Sequence, residues 1–224
     1  MPMTEFVSLN GPDNAGKTTQ IRLLSEARPS LQMLGSVHEH APELWGALPA
    51  DSSTWWFETS STIELTRLLL DSHRLRARAR RPGSIAVVDR GHPMLIATAV
   101  ATCVVKDDVS IDDARATVSS IQSFAETPSP EFALLLLVSR DVERSLAISE
   151  QRDSAPWNAR YLRYQRVLHE VLMQQAERGV YDQIIEWGTR PRAEIHRDVL
   201  TAVDAELREL QARHLRPAQE QPCL

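Results

Sequence analysis

The sequence predicts an α/β fold: a three-layer sandwich with a parallel central sheet and helices on both faces. Three observations carry this. Apolar runs of strand length alternate with amphipathic stretches of helix length; the first strand leads through a glycine loop into a helix; and two later runs are apolar throughout, as strands buried on both faces are. The 224 residues suit a single domain over 1–213 with a flap near 140–157, followed by a Pro- and Gln-rich tail at 214–224 that is expected to be disordered.

The first strand, Glu5 to Leu9, runs into Gly11-Pro12-Asp13-Asn14-Ala15-Gly16-Lys17-Thr18-Thr19, which fits the P-loop pattern G-x-x-x-x-G-K-[ST] without a mismatch. The chemistry explains the residue types. Gly11 and Gly16 let the backbone N–H groups of the loop, Asn14 and Ala15 among them, turn inward around the phosphates of ATP. Lys17 reaches the β- and γ-phosphates, and Thr18 ligates Mg²⁺ beside Thr19 at the start of a helix whose dipole favours anions. Lysine occurs only at 17 and 106 in a chain rich in arginine, so one of two lysines stands where a compact ammonium suits phosphate.

This helix is expected to end near Pro29. A second strand over Leu31 to Val37 then enters His38-Glu39-His40. In an extended chain the two histidines share a face, which leaves a metal site or a polar strand end as the two readings. A loop from Ala41 to about Asp51 precedes a long helix, capped by Ser53 or Thr54, running to about Arg81 before Pro82-Gly83 stops it. In its last turns Arg74, Arg78 and Arg81 share one face while Arg76 and Arg80 point away from it. A solvated basic helix end is the bland reading for most of them.

Ile85 to Val88 reads as a central strand ending in Asp89-Arg90. An aspartate there can bind Mg²⁺ or take a proton from an attacking hydroxyl, and Arg90 can clamp a phosphate; structural ion pairs are the alternative. Helices over Pro93–Val105 and Ile111–Ala125 follow, then a strand over Phe132–Val138. The segment from Ser139 to Asp153, with Arg140, Arg144 and Arg152, reads either as a flap that closes over ATP or as a surface helix laced with ion pairs. A helix over Trp157–Gly179, a strand over Gln183–Trp187 and a helix over Ala193–Leu210 complete the pattern.

Composition narrows the class. An apolar share of 42% with 25% charged residues is ordinary for a globular protein, and a net charge of −5 argues against broad nucleic-acid binding. Cys103 and Cys223 offer neither a disulfide framework nor a C-x-x-C site, and no apolar run reaches a membrane span. Reduced thiols and a cytoplasmic location are the expectation, with no membrane partner; a homodimer stays open.

With the P-loop, the Asp-Arg strand end and the arginine-bearing segment in this order, the chain resembles the thymidylate kinase family of P-loop nucleoside monophosphate kinases from Phe6 to about Val199. The resemblance implies a P-loop kinase-like sandwich and an ATP- and Mg²⁺-dependent kinase acting on a nucleoside monophosphate such as dTMP. It implies that Asp13 binds the acceptor sugar and Arg74 its phosphate, that Lys17 and Thr18 serve phosphate and metal, and that Asp89 and Arg90 form the family's Asp-Arg motif. The catalytic arginine that some members carry in the loop is Asn14 here, so Arg152, with Arg144 second, would supply that charge. The acceptor half departs from the family. Leu70 stands where an aromatic residue stacks on thymine, Gly91-His92-Pro93 and Ala97-Thr98-Ala99 replace base-reading residues, and no Arg-Glu-Pro follows the second strand. A kinase for another small metabolite, a nucleoside or sugar with Trp55, Trp56 and Phe57 lining its pocket, is one alternative; a nucleotide-binding protein without transfer activity is the other.

Overall fold

The computed structural model describes residues 4–122, 129–152 and 156–215; residues 123–125 of the helix expected to Ala125, residues 153–155 of the expected flap and residues 216–224 of the expected tail lie outside this range, and residues 214–215 of that tail are helical instead. Five parallel strands, β1 (Phe6–Asn10), β2 (Gln32–Gly35), β3 (Ala86–Asp89), β4 (Glu131–Leu137) and β5 (Gln183–Glu186), form one sheet in the order β2-β3-β1-β4-β5. β1 lies at the centre, with Leu9 opposite Asp89 of β3 and Leu134 of β4. The loop that follows β1 therefore emerges beside the carboxyl end of β3, which is where an open parallel sheet binds ligands.

Alternation along the strands explains the layers. Val7 and Leu9 of β1 and Leu134, Leu136 and Val138 around β4 face one side, where they meet Leu24 of α1 (Lys17–Ala27) and later Ile195, Val199 and Val203. Ala133, Leu135 and Leu137 face the other side and join a larger apolar cluster. That second layer is reached through four short or long helical pieces: a 3-10 turn at Val37–His40, α2 (Pro42–Gly46), α3 (Ser52–Thr54) with a π-helical turn at Trp55–Thr59, and α4 (Thr62–Arg78). Next come α5 (His92–Asp107) and α6 (Ile111–Gln122); α7 (Val142–Glu150) and α8 (Ala159–Glu177) follow β4, and α9 (Arg192–Leu215) follows β5. α5 is buried along most of its length, as its run of Ala, Val and Thr with no charge before Lys106 foretells. No helix among the described residues is long and apolar enough to cross a membrane.

Three local expectations are corrected. The long helix expected from about 53 to 81 is broken at Ser60, whose backbone is extended, because Ser61 starts a new helix: its side chain accepts from the Glu64 N–H while Glu64 accepts from the Ser61 N–H. The His38-Glu39-His40 stretch is a 3-10 turn rather than a strand end, since Gly35 turns the chain at φ 62° and Ser36 forms a capping box with Glu39. The loop from Ala41 contains α2, with Pro42 at its first position.

Candidate active site

The P-loop closes around its own lysine. Gly16 adopts φ 86° just before α1, and a Cβ added to Gly11, at φ 140°, would lie 2.1 Å from the Leu136 carbonyl oxygen, so both glycines are required by geometry. Lys17 is buried, and its Nζ donates to the carbonyls of Gly11 at 2.9 Å and Pro12 at 2.8 Å. Burial, followed by the nearby Arg90, pulls the Lys17 pKa down to about 8 against the opposing pull of Asp13 and Asp89. A cavity of about 430 Å³ opens here, lined by Asp13, Asn14, Gly16, Lys17, Thr18, Thr19, Asp89, Arg90 and Arg152. Ala15 is buried behind it, and its carbonyl accepts from Trp187 Nε1 at 3.1 Å.

Arg152 reaches this cradle from the turn after α7. Its guanidinium lies 4.0 Å over the Trp187 ring and donates to the Asn14 carbonyl at 3.3 Å, while Asn14 Nδ2 donates to the Ser149 carbonyl at 3.1 Å. The stretch from Asp141 to Arg152 is thus mostly helix, docked on the loop. Arg140 pairs instead with Glu186, and Arg144 lies beside Gly188; neither lines the cradle.

Asp13, Asp89 and Arg90 form a wall. Arg90 bonds Asp13 Oδ1 at 2.7 Å and lies 3.8 Å from Asp89 Oδ2, while Asp13 Oδ2 accepts from Tyr161 at 2.5 Å and Gln165 at 2.9 Å. Burial works to raise the Asp13 pKa, but Arg90, Lys17 and the two α8 donors outweigh it and hold the carboxyl below its ordinary value. Asp89 Oδ1 is buried without a hydrogen-bond partner among the described residues. An orphaned carboxylate oxygen beside Thr18 and a lysine cradle fits a cation that accompanies phosphate.

On the far side of the wall lies a second cavity of about 490 Å³. Trp45, Trp56, Phe57, Tyr161 and Tyr164 line it with Leu69, Met94, Leu95 and Leu168, and Trp45 and Trp56 stack at 6.1 Å. Trp45 is fixed by its Nε1 bond to Ser72 at 2.9 Å, and Trp56 by its bond to Thr102 at 3.1 Å. Trp55 packs edge-on against Trp56 without lining the cavity. His38 lines it, bonded to Ser36 Oγ at 2.6 Å, and His40 bonds the Leu34 carbonyl; among the described residues no group of three or more His, Cys, Asp or Glu could hold a metal ion.

The expectation for Arg74 is not met. It pairs with Asp71 across one helical turn at 3.2 Å, half exposed, and lines neither cavity, because α4 turns Leu69 inward and Arg74 outward. Arg76 is the arginine that points in. Fully buried, it donates to the carbonyls of Gly35 at 3.0 Å, Asp89 at 2.7 Å and Arg90 at 2.7 Å, so it staples the ends of β2 and β3 together. Arg90 sits at φ 60°, a left-handed backbone that costs a side-chain-bearing residue about 1–2 kcal/mol, and the Arg76 bond to its carbonyl holds it there.

Sequence reasoning missed Arg76, Tyr161, Tyr164, Gln165 and Trp45. Leu65, Leu69, Ser72 and Arg76 follow the stripe of α4 that faces inward, and Tyr161, Tyr164, Gln165 and Leu168 follow that of α8, so helical spacing held the signal. Nothing in the sequence marks Trp45, which reaches the cavity only because α2 folds back over α4.

No family model matches the chain, and no curated protein matches it in sequence. Among solved structures it is similar to thymidylate kinase from Candida albicans, described as having broad substrate specificity, with a TM-score of 0.61 at 12% identity over 92% of this chain and 93% of that one. It is also similar to thymidylate kinase from Ehrlichia chaffeensis, with a TM-score of 0.52 at 14% identity over 91% of this chain and 99% of that one. The likeness is one of architecture, and by it the chain has a P-loop kinase α/β sandwich fold.

Proposed function

We propose that the chain is an ATP- and Mg²⁺-dependent phosphotransferase that moves a phosphoryl group onto a small acceptor held in the aromatic cavity, a nucleoside monophosphate such as dTMP or a nucleoside or sugar. One observation carries this reading: Asp13, Asp89 and Arg90 line both cavities, so the lysine cradle and the aromatic box meet across a single acidic and basic wall. A triphosphate held by the loop and an acceptor in the box would face each other there. Such transfer needs positioning and charge more than covalent chemistry. Lys17, Arg152 and the N–H groups from Asn14 to Thr19 would bind the phosphates, and Thr18 and Asp89 would hold Mg²⁺, which when bound neutralises charge on the transferring group. Asp89 would also take the proton where the acceptor atom is a hydroxyl, with Asp13 and Arg90 orienting the acceptor.

The test is transfer of labelled γ-phosphate from ATP and Mg²⁺ to a panel of nucleosides and nucleoside monophosphates including dTMP. Binding of ATP with no transfer to any of them would favour a nucleotide-binding protein without this activity. In the same assay Arg74→Ala is expected to change turnover by less than about twofold, since an exposed ion pair contributes little. A large loss would return Arg74 to the acceptor site.

The state of Lys17 gives a pH prediction. Its folded pKa of about 8 lies below the ordinary 10.5, so the ligand-free loop loses its cation as pH rises through 8, while bound phosphate would restore the proton. ATP binding above pH 8 is therefore expected to take up as much as about one proton, and affinity to weaken as pH rises. Calorimetry in two buffers of different ionisation enthalpy reads this uptake directly; release of a proton would contradict it.

A further inference from the structure

We infer that the acceptor is an uncharged nucleoside-class molecule, an aromatic base with a hydroxyl-bearing sugar, rather than a nucleoside monophosphate. This rests on the phosphotransferase reading above and specifies its second substrate. Among the described residues the box has one guanidinium, Arg90, whose charge is already matched by Asp13 at 2.7 Å and Asp89 at 3.8 Å. An acceptor phosphate would bring about two negative charges to a wall that already holds two carboxylates and one cation. Among the described residues no other arginine lines the box. Arg74 faces outward onto Asp71, and Arg76 lies behind the wall outside the box, its two terminal nitrogens bonded to three backbone carbonyls and close to His73. One helical turn after the cavity-lining Leu69 stands His73, buried and kept neutral by desolvation first and then by Arg76 and His92, with its pKa pushed down to about 3.

The rest of the box suits a flat apolar ring. Trp56, Phe57 and Tyr164 with Leu69 and Met94 give it aromatic and aliphatic walls, with Asp13, Asp89 and Arg90 as the acidic and basic part of its lining. A sugar hydroxyl would sit against the Asp13, Asp89 and Arg90 wall, which the box shares with the lysine cradle. Asp13 is already bonded by Tyr161, Gln165 and Arg90, so it holds the wall in place and offers a further hydroxyl only its remaining lone pairs.

The test is a paired titration of the full chain, saturated with a non-hydrolysable ATP analogue and Mg²⁺, with each of the common nucleosides and deoxynucleosides and its own 5′-monophosphate. For the base that binds best, the nucleoside is expected to bind at least about tenfold more tightly than its monophosphate, about 1.4 kcal/mol. A monophosphate that binds as tightly or more tightly, or no nucleoside binding at millimolar concentration, overturns the inference. Binding of the ATP analogue is read in the preceding step, so failure of the donor half is scored separately from failure of the acceptor assignment.

Discussion

Lys17→Ala is expected to lower kcat/KM for phosphoryl transfer by at least about a hundredfold, a loss near 2.7 kcal/mol of transition-state stabilisation. The ammonium is buried within its loop, where charge contacts are strong, and no second lysine is near enough to replace it, since Lys106 is occupied by the Ser60 carbonyl on another side of the domain. The fold should not suffer in proportion. Because the folded pKa of Lys17 is depressed, its buried charge disfavours folding below pH 8, and stability from this group rises between about 8 and 10.5 as the unfolded chain alone keeps the proton. Kinetics and melting temperature measured on the same variant separate the two effects, and near-normal turnover would remove the loop from the mechanism.

Arg76→Ala is expected to act in the opposite way, chiefly on stability. Its side chain is fully buried and makes three hydrogen bonds to backbone carbonyls, so truncation leaves those oxygens unsatisfied and opens a void the length of the side chain. A loss of about 3 kcal/mol or more follows, which for a domain of this size lowers the melting temperature by roughly 6–12 °C. Arg76→Lys should recover little, because one ammonium cannot reproduce a planar fork that spans the ends of two strands. With the staple gone, Arg90 has less reason to stay left-handed, so residual folded protein should also show weakened acceptor binding. A thermal melt within about 2 °C of the parent would contradict this role.

The legibility of the chain followed the range of its signals. The P-loop, the five strands and most helices were readable because their causes are local: glycine placement, apolar runs, caps. The break at Ser60 was also local, written in Ser61 and Glu64, but the apolar run through Trp55 and Leu65 outweighed it. Arg74 and Arg76 show the limit. Two residues apart on one helix, they face different surroundings, and the side that is buried depends on where β2 and β3 end, which no periodicity within α4 encodes. The α8 residues that bond Asp13 lie about 150 positions along the chain from it, and such a pairing exists only once the sheet has formed. His38 and Trp45 belong to the same category, brought to the cavity by turns whose path is set by tertiary contacts.

The most direct measurement of the central claim is a crystal structure of the chain with a non-hydrolysable ATP analogue and Mg²⁺. With the nucleotide bound, Lys17 Nζ is expected to leave the Gly11 and Pro12 carbonyls for the phosphates, and Thr18 and Asp89 would hold the metal. A triphosphate bound elsewhere, with Lys17 still folded onto its own loop, would contradict it.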